Sequence, residues 1–133
     1  VLEWAPMNLV AIIDAHSDDA VALISPPGVT TYGELRTLAA AARATLAGEG
    51  VNPGDRVALV AENNADFVVS YLATLGLGAV AVPLNPNSPA AELQREVDVV
   101  GARVVVVGGD GGRAAVGGLT GVTVVDRLTA ATT

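Results

Sequence analysis

Gly109, Gly111 and Ala114 follow the run Val104–Val107 in the spacing G-x-G-x-x-A, and Asp126 closes the next apolar run. Residues of these types can hold a dinucleotide: glycines let a tight turn bring backbone amides onto a pyrophosphate, and the acid takes a ribose hydroxyl. Two features argue against it. Only about six residues could form a helix before Gly117 and Gly118 interrupt it, short for a parallel crossover. With 15 glycines in the chain, such a spacing also arises easily by chance. The stretch 108–121 is therefore expected to be a flexible glycine-rich link, and a dinucleotide-binding fragment of an oxidoreductase is the least favoured alternative. His16 lies near Asp14, Asp18 and Asp19 and could serve as a base held by a carboxylate, but a solvated helix end explains it more simply. Glu92 and Glu96 share a helix face, with Asp98 near and Arg95 between them, as a solvated face would. Asn63 and Asn64 could offer amides to a ligand, yet N-capping of the following helix, by Asn63 or Asn64, explains them more simply. No catalytic, cofactor-binding or metal-binding residue is assigned.

Composition removes most other chemistries. There is no cysteine, which excludes disulfides, thiolate metal sites and cysteine nucleophiles. The seven basic residues are all arginines, so no lysine is present to form a Schiff base or steady a transferring phosphate. His16 alone cannot build a multi-histidine metal site. A net charge of −7 speaks against nucleic acid, whose phosphates need a basic face. Hydrophobic residues are 51% of the chain and charged ones 16%, which excludes a disordered polymer.

The elements that must position any site alternate along the chain. Asn8 can cap a short helix over Leu9–Ala15. Ala20–Ser25 reads as a strand, ended by a turn at Pro26-Pro27-Gly28. Thr31-x-x-Glu34 is a capping box for a helix over Tyr32–Ala47, its Glu reaching back to the cap amide. Strands follow at Arg56–Ala61, Ala79–Leu84, Arg103–Val107 and Val122–Asp126, with helices over Ala65–Leu75 and Pro89–Val100, the last capped by Ser88. Near-continuous apolar strands alternating with helices predict an α/β fold: a mostly parallel, doubly wound sheet with helices on both faces. The first strand, Ala20–Ser25, is expected to belong to that sheet.

The opening VLEWAPMNLV lacks the basic region of a signal peptide. Residues 1–7 read as a tail, with the native start at either Val1 or Met7. Phe67–Ala91 is uncharged and long enough to span a bilayer. Gly76, Gly78, Pro83 and Pro86 interrupt it, so a buried helix, turn and strand are expected and no transmembrane span.

A resemblance goes further than these residues do alone. Thr31-Tyr32-Gly33-Glu34-Leu35, then Gly54-Asp55-Arg56-Val57-Ala58, then Leu75 to Pro86 ending in VPLNP, resemble in order and spacing the opening of the AMP-forming acyl-CoA synthetases, the adenylate-forming ligases. The likeness covers about Asn8 to Val107. It implies that residues 1–133 form a single N-terminal α/β subdomain within the large domain of a fatty-acid–CoA ligase. Such a parent would use ATP and Mg2+ to turn a fatty acid or other carboxylic acid into an acyl-adenylate, then pass the acyl group to CoA. The VPLNP ending (Val82–Pro86) resembles the CoA-ligase branch more than the fatty acyl-AMP ligase branch. The family's phosphate loop and its lysines match nothing here, so no site residue is carried over, and the chain alone is expected to be inactive. The resemblance places the parent in the cytoplasm, with a peripheral membrane location as the variant of that expectation. A subdomain cut from a larger core keeps an apolar face, so self-association is expected. The rival of another class is a stand-alone α/β interaction module.

Overall fold

The computed structural model describes residues 8–26 and 28–126. The tail assigned to residues 1–7 and the second proline of the first turn lie outside them. The strands are β1 (Val21–Ser25), β2 (Gly28–Thr31), β3 (Arg56–Ala61), β4 (Val80–Leu84), β5 (Val104–Gly108) and β6 (Thr123–Asp126). The helices are α1 (Tyr32–Gly48), α2 (Ala65–Gly76), α3 (Ala90–Val100) and α4 (Asp110–Val116), preceded by a 3-10 helix over Leu9–Ile13.

Four strands form one parallel sheet in the order β4-β3-β5-β6. Alternation along its central strands explains how it is covered. Val57, Leu59, Val104 and Val106 project to one face, against Leu35, Ala39, Ala42 and Leu46 of α1 and Val69, Leu72 and Ala73 of α2. Ala58, Val60, Val105 and Val107 project to the other, against Leu93 and Val97 of α3 and Val116 of α4. Strands buried on both faces need no polar positions, hence the unbroken valine runs. The doubly wound, two-faced α/β architecture is the one expected.

One strand is not where it was expected. β1 is absent from the parallel sheet and instead pairs antiparallel with β2 in a separate two-stranded sheet. The cause is the length of the connection. Ser25 pairs with Gly28, and two residues can only reverse a chain, whereas a parallel return needs a crossover of a dozen or more. The first helix is also shorter and tighter than expected, a 3-10 turn whose Val10 amide donates to the Asn8 side chain at 2.9 Å.

Caps set most of the remaining boundaries. The Glu34 amide donates to the Thr31 hydroxyl oxygen at 3.2 Å. The return bond differs from the expected one: the Glu34 carboxylate accepts from the Thr31 hydroxyl at 3.1 Å rather than from the cap amide. Asn64 caps α2 by accepting from the Phe67 amide at 3.0 Å. Pro89, not Ser88, occupies the N-cap of α3, which has no side-chain cap. The uncharged run from Phe67 is broken at Leu77 and Gly78 before β4 begins, and among the described residues no helix is long and apolar enough to cross a membrane.

Candidate functional site

In a doubly wound sheet, ligands bind beyond the carboxyl ends of the strands, where the winding direction reverses. Here the chain passes from β3 out to β4 and then crosses back to β5, so the reversal lies between the ends of β3 and β5. Two turns meet there: Glu62–Asn64 leading into α2, and Gly108–Gly109 leading into α4.

The glycines of the second turn are held by packing, with little room between them for a ligand. A β-carbon on Gly108 would lie 2.9 Å from the Asp66 β-carbon, and one on Gly111 would lie 2.7 Å from the Glu62 carboxylate. On Gly112 it would lie 2.5 Å from the Val60 carbonyl oxygen and 3.0 Å from a Val107 methyl. The stretch expected to be a flexible link therefore contains a helix, α4, seated directly on β3 and β5.

The structure does not support the dinucleotide alternative. α4 has only seven residues. Asp126, the would-be ribose ligand, accepts from the Arg113 Nε at 2.7 Å, and the same guanidinium reaches Asp110 at 2.6 Å. The hydrogen bond that Arg113 donates to Asp126, assisted by both negative charges, raises the Arg113 pKa above its ordinary value. Glu62, Asp66 and Asp110 crowd the turn with negative charge, the opposite of a phosphate cradle. Nor do these residues fit the ATP and Mg2+ that the family resemblance implies for a whole enzyme. No lysine is present, and among the described residues no group of three or more histidines or acids gathers to hold a metal.

What the edge offers is shape and amides. A cavity of about 450 Å3 opens at the ends of β3 and β4, lined by Glu62, Asn63, Phe67, Pro83, Asn85 and Asn87 among others. A second, of about 250 Å3, lies between the β1–β2 hairpin and the start of α2 and shares Asn63 and Phe67. The Asn85 side chain accepts from the Asn87 amide at 2.8 Å, which fixes the loop after β4. Such an arrangement can bind and orient a neighbour; the Glu62 carboxylate and the Ser25 hydroxyl are its ionisable and hydroxyl side chains, and no histidine or lysine lines either cavity. Sequence reasoning missed Asn85 and Asn87; their signal was the turn chemistry of NPNSP immediately after a strand.

The remaining candidates resolve into structure. The His16 ring stacks on Tyr32, centroids 4.2 Å apart. Asp18 pairs with Arg36, which also donates to the Ile13 carbonyl at 2.6 Å. Asn64 is the α2 cap. Arg95 is exposed on α3, between the partly exposed Glu92 and Glu96, and Asp98 accepts from Gln94 at 3.0 Å.

Comparison with known proteins now bears on these edges. A family model described as AMP-binding enzyme matches residues 11–132. The nonribosomal peptide synthetase easA of Emericella nidulans is 39% identical over 95 residues, 71% of this chain and 1% of that protein. The long-chain-fatty-acid–CoA ligase FadD13 of Mycobacterium tuberculosis is 36% identical over 78 residues, 59% of this chain and 16% of that one. Among solved structures, the N-terminal subdomain of Klebsiella oxytoca NpsA superposes with a TM-score of 0.76 at 29% identity, covering 90% of this chain and 30% of that chain. The chain spans between 1% and 17% of the length of the curated relatives it matches. With TYGEL at the entry to α1, VPLNP at the exit from β4 and a matched span that takes in every strand, the chain belongs to the AMP-binding enzyme family and has the fold of the N-terminal subdomain of adenylate-forming enzymes.

Proposed function

We propose that this chain is the N-terminal α/β subdomain, residues 1–133, of a ligase that activates a carboxylic acid with ATP and transfers the acyl group to a thiol. The observation that carries the reading is the family match over residues 11–132. In the reaction assigned to the parent, a carboxylate oxygen attacks the α-phosphorus of ATP and pyrophosphate leaves. A thiol sulfur then attacks the acyl carbon, and AMP departs with the bonding electrons. Mg2+ bound in the parent would supply screening of the phosphate charge. The chain's own part is architectural: it supplies a rigid parallel sheet whose carboxyl edge, with Asn63, Phe67, Asn85 and Asn87, faces a neighbouring part of the enzyme.

For the acid and the thiol, we favour a fatty acid and CoA. The VPLNP ending and the likeness to a long-chain-fatty-acid–CoA ligase support this choice. A second reading, transfer to the thiol of a carrier protein, is favoured by the likeness to a nonribosomal peptide synthetase. The location proposed for the parent is the cytoplasm.

Pyrophosphate exchange into ATP by the complete gene product, across a panel of fatty, aryl and amino acids, tests the activity. Fatty-acid-dependent exchange and a CoA thioester are expected, together with ATP-dependent hydroxamate formation in hydroxylamine. Exchange with amino acids alone selects the carrier-protein reading, and no exchange with any acid overturns both. The chain tested by itself should show none, because it has no lysine and no phosphate loop.

A further inference from the structure

At the opposite, amino-terminal edge of the parallel sheet, Arg56 begins β3 and Arg103 immediately precedes β5. Val57 pairs with Val104, so the two arginines occupy adjacent positions one step earlier on neighbouring strands. Strand alternation places both on the face that carries Ala58 and Val105. Like charges placed side by side across a sheet repel. Among the described residues, neither guanidinium has an ion-pair partner, as is true of Arg43 and Arg95, whereas Arg36 and Arg113 are paired. This is in a chain with 14 acidic residues to 7 basic ones, where partners for a cation are plentiful.

The two arginines line a polar groove of about 490 Å3. β-carbons on Gly50, Gly54 and Gly101, which also line it, would meet nothing within 4 Å. Glu49 and Asp55 border the same groove. The Asp55 carboxylate accepts from the Asn52 amide at 2.8 Å, and among the described residues neither acid lies within ion-pair distance of Arg56 or Arg103.

We propose that this groove binds a phosphate-type dianion between Arg56 and Arg103. Two guanidinium groups carried at adjacent strand positions into one groove suit a tetrahedral oxyanion, since each can give charge-assisted, bidentate hydrogen bonds. A dianion there also relieves the repulsion between the two arginines. The site lies at the other end of the sheet from the edge discussed above and does not depend on the parent's activity.

The test uses the 133-residue chain, with inorganic phosphate, glycerol phosphate and succinate as probes against chloride at matched ionic strength. Thermal unfolding and the arginine Nε–Hε resonances are the readouts. Both phosphates should raise the unfolding temperature and shift the Arg56 and Arg103 signals without moving those of Arg113. Preference for glycerol phosphate identifies a phosphorylated small molecule as the source, and preference for the inorganic ion identifies free phosphate. Arg56→Gln and Arg103→Gln should each weaken binding about tenfold, and Glu49→Gln should tighten it about threefold. A phosphate response equal to that of chloride, an equal response to succinate, or an unchanged response in the Arg56→Gln/Arg103→Gln double variant overturns the proposal. Because the signals are read first on the unaltered chain, a variant that folds poorly does not leave the question open.

Discussion

The two ends of the parallel sheet use glycine for opposite reasons. At the carboxyl end, Gly108, Gly111 and Gly112 are small because something occupies the space: a side chain, a carboxylate and a backbone carbonyl at 2.9, 2.7 and 2.5 Å from the β-carbon each lacks. At the amino end, Gly101 faces open solvent, and what it supplies is a left-handed backbone, φ +70°, that stops α3. Crowding at one end fastens α4 onto β3 and β5, while openness at the other leaves a groove. Identical residue types therefore predict nothing about tolerance until their surroundings are known.

Alanine substitutions probe that contrast in order of expected effect. Gly112→Ala should destabilise the chain by about 3 kcal/mol, since the intruding methyl meets a β3 carbonyl that cannot swing aside. Urea denaturation would show it, and a loss under half that size would break the claim that crowding rules this end. Gly108→Ala should cost about 2 kcal/mol, because the Asp66 and Ala61 β-carbons at 2.9 and 3.2 Å move only with their backbones. Gly101→Ala should cost about 1 kcal/mol through backbone conformation alone, and Gly101→Asn should recover part of it. Equal losses from alanine and asparagine would mean that space, not φ, is what Gly101 provides. Gly76→Ala should fall within about 0.5 kcal/mol of zero. Its methyl would meet only the movable end of Arg43, at 3.1 Å, and alanine is the better helix former. The smallest effect is local: Arg113→Gln should speed amide hydrogen exchange in α4 and β6, which its paired carboxylates join, and leave exchange in α1 unchanged.

Much of this molecule is legible in its sequence because the signals are local. Valine runs mark β3 and β5, Thr31 and Asn64 announce the helices they cap, and Gly101 marks the end of α3. What escaped depends on partners distant in the chain. Gly112 is required by Val60, which no window around GDGGRAAV contains, so α4 looked like a link. β2 is four residues long and runs into a capping threonine, which masks it. The direction of β1 turned on the length of one connection. The family was legible in three blocks of residues; the acid and the thiol were not, because the cavities at the carboxyl edge are lined mainly by amides and apolar groups, with Glu62 and Ser25 the ionisable and hydroxyl side chains among them.

The strand order carries a consequence for synthesis. β3 sits between β4 and β5, yet β4 leaves the ribosome well before β5 does. Until β5, α3 and α4 have all emerged, the nascent β3–α2–β4 unit shows Ala58 and Val60 to water along with the backbone edge of β3 that β5 later covers. During that interval it is a template for any other extended chain nearby. Codons that slow translation between β4 and β5 would lengthen the exposure, and insoluble product, rather than an altered native state, would be the result.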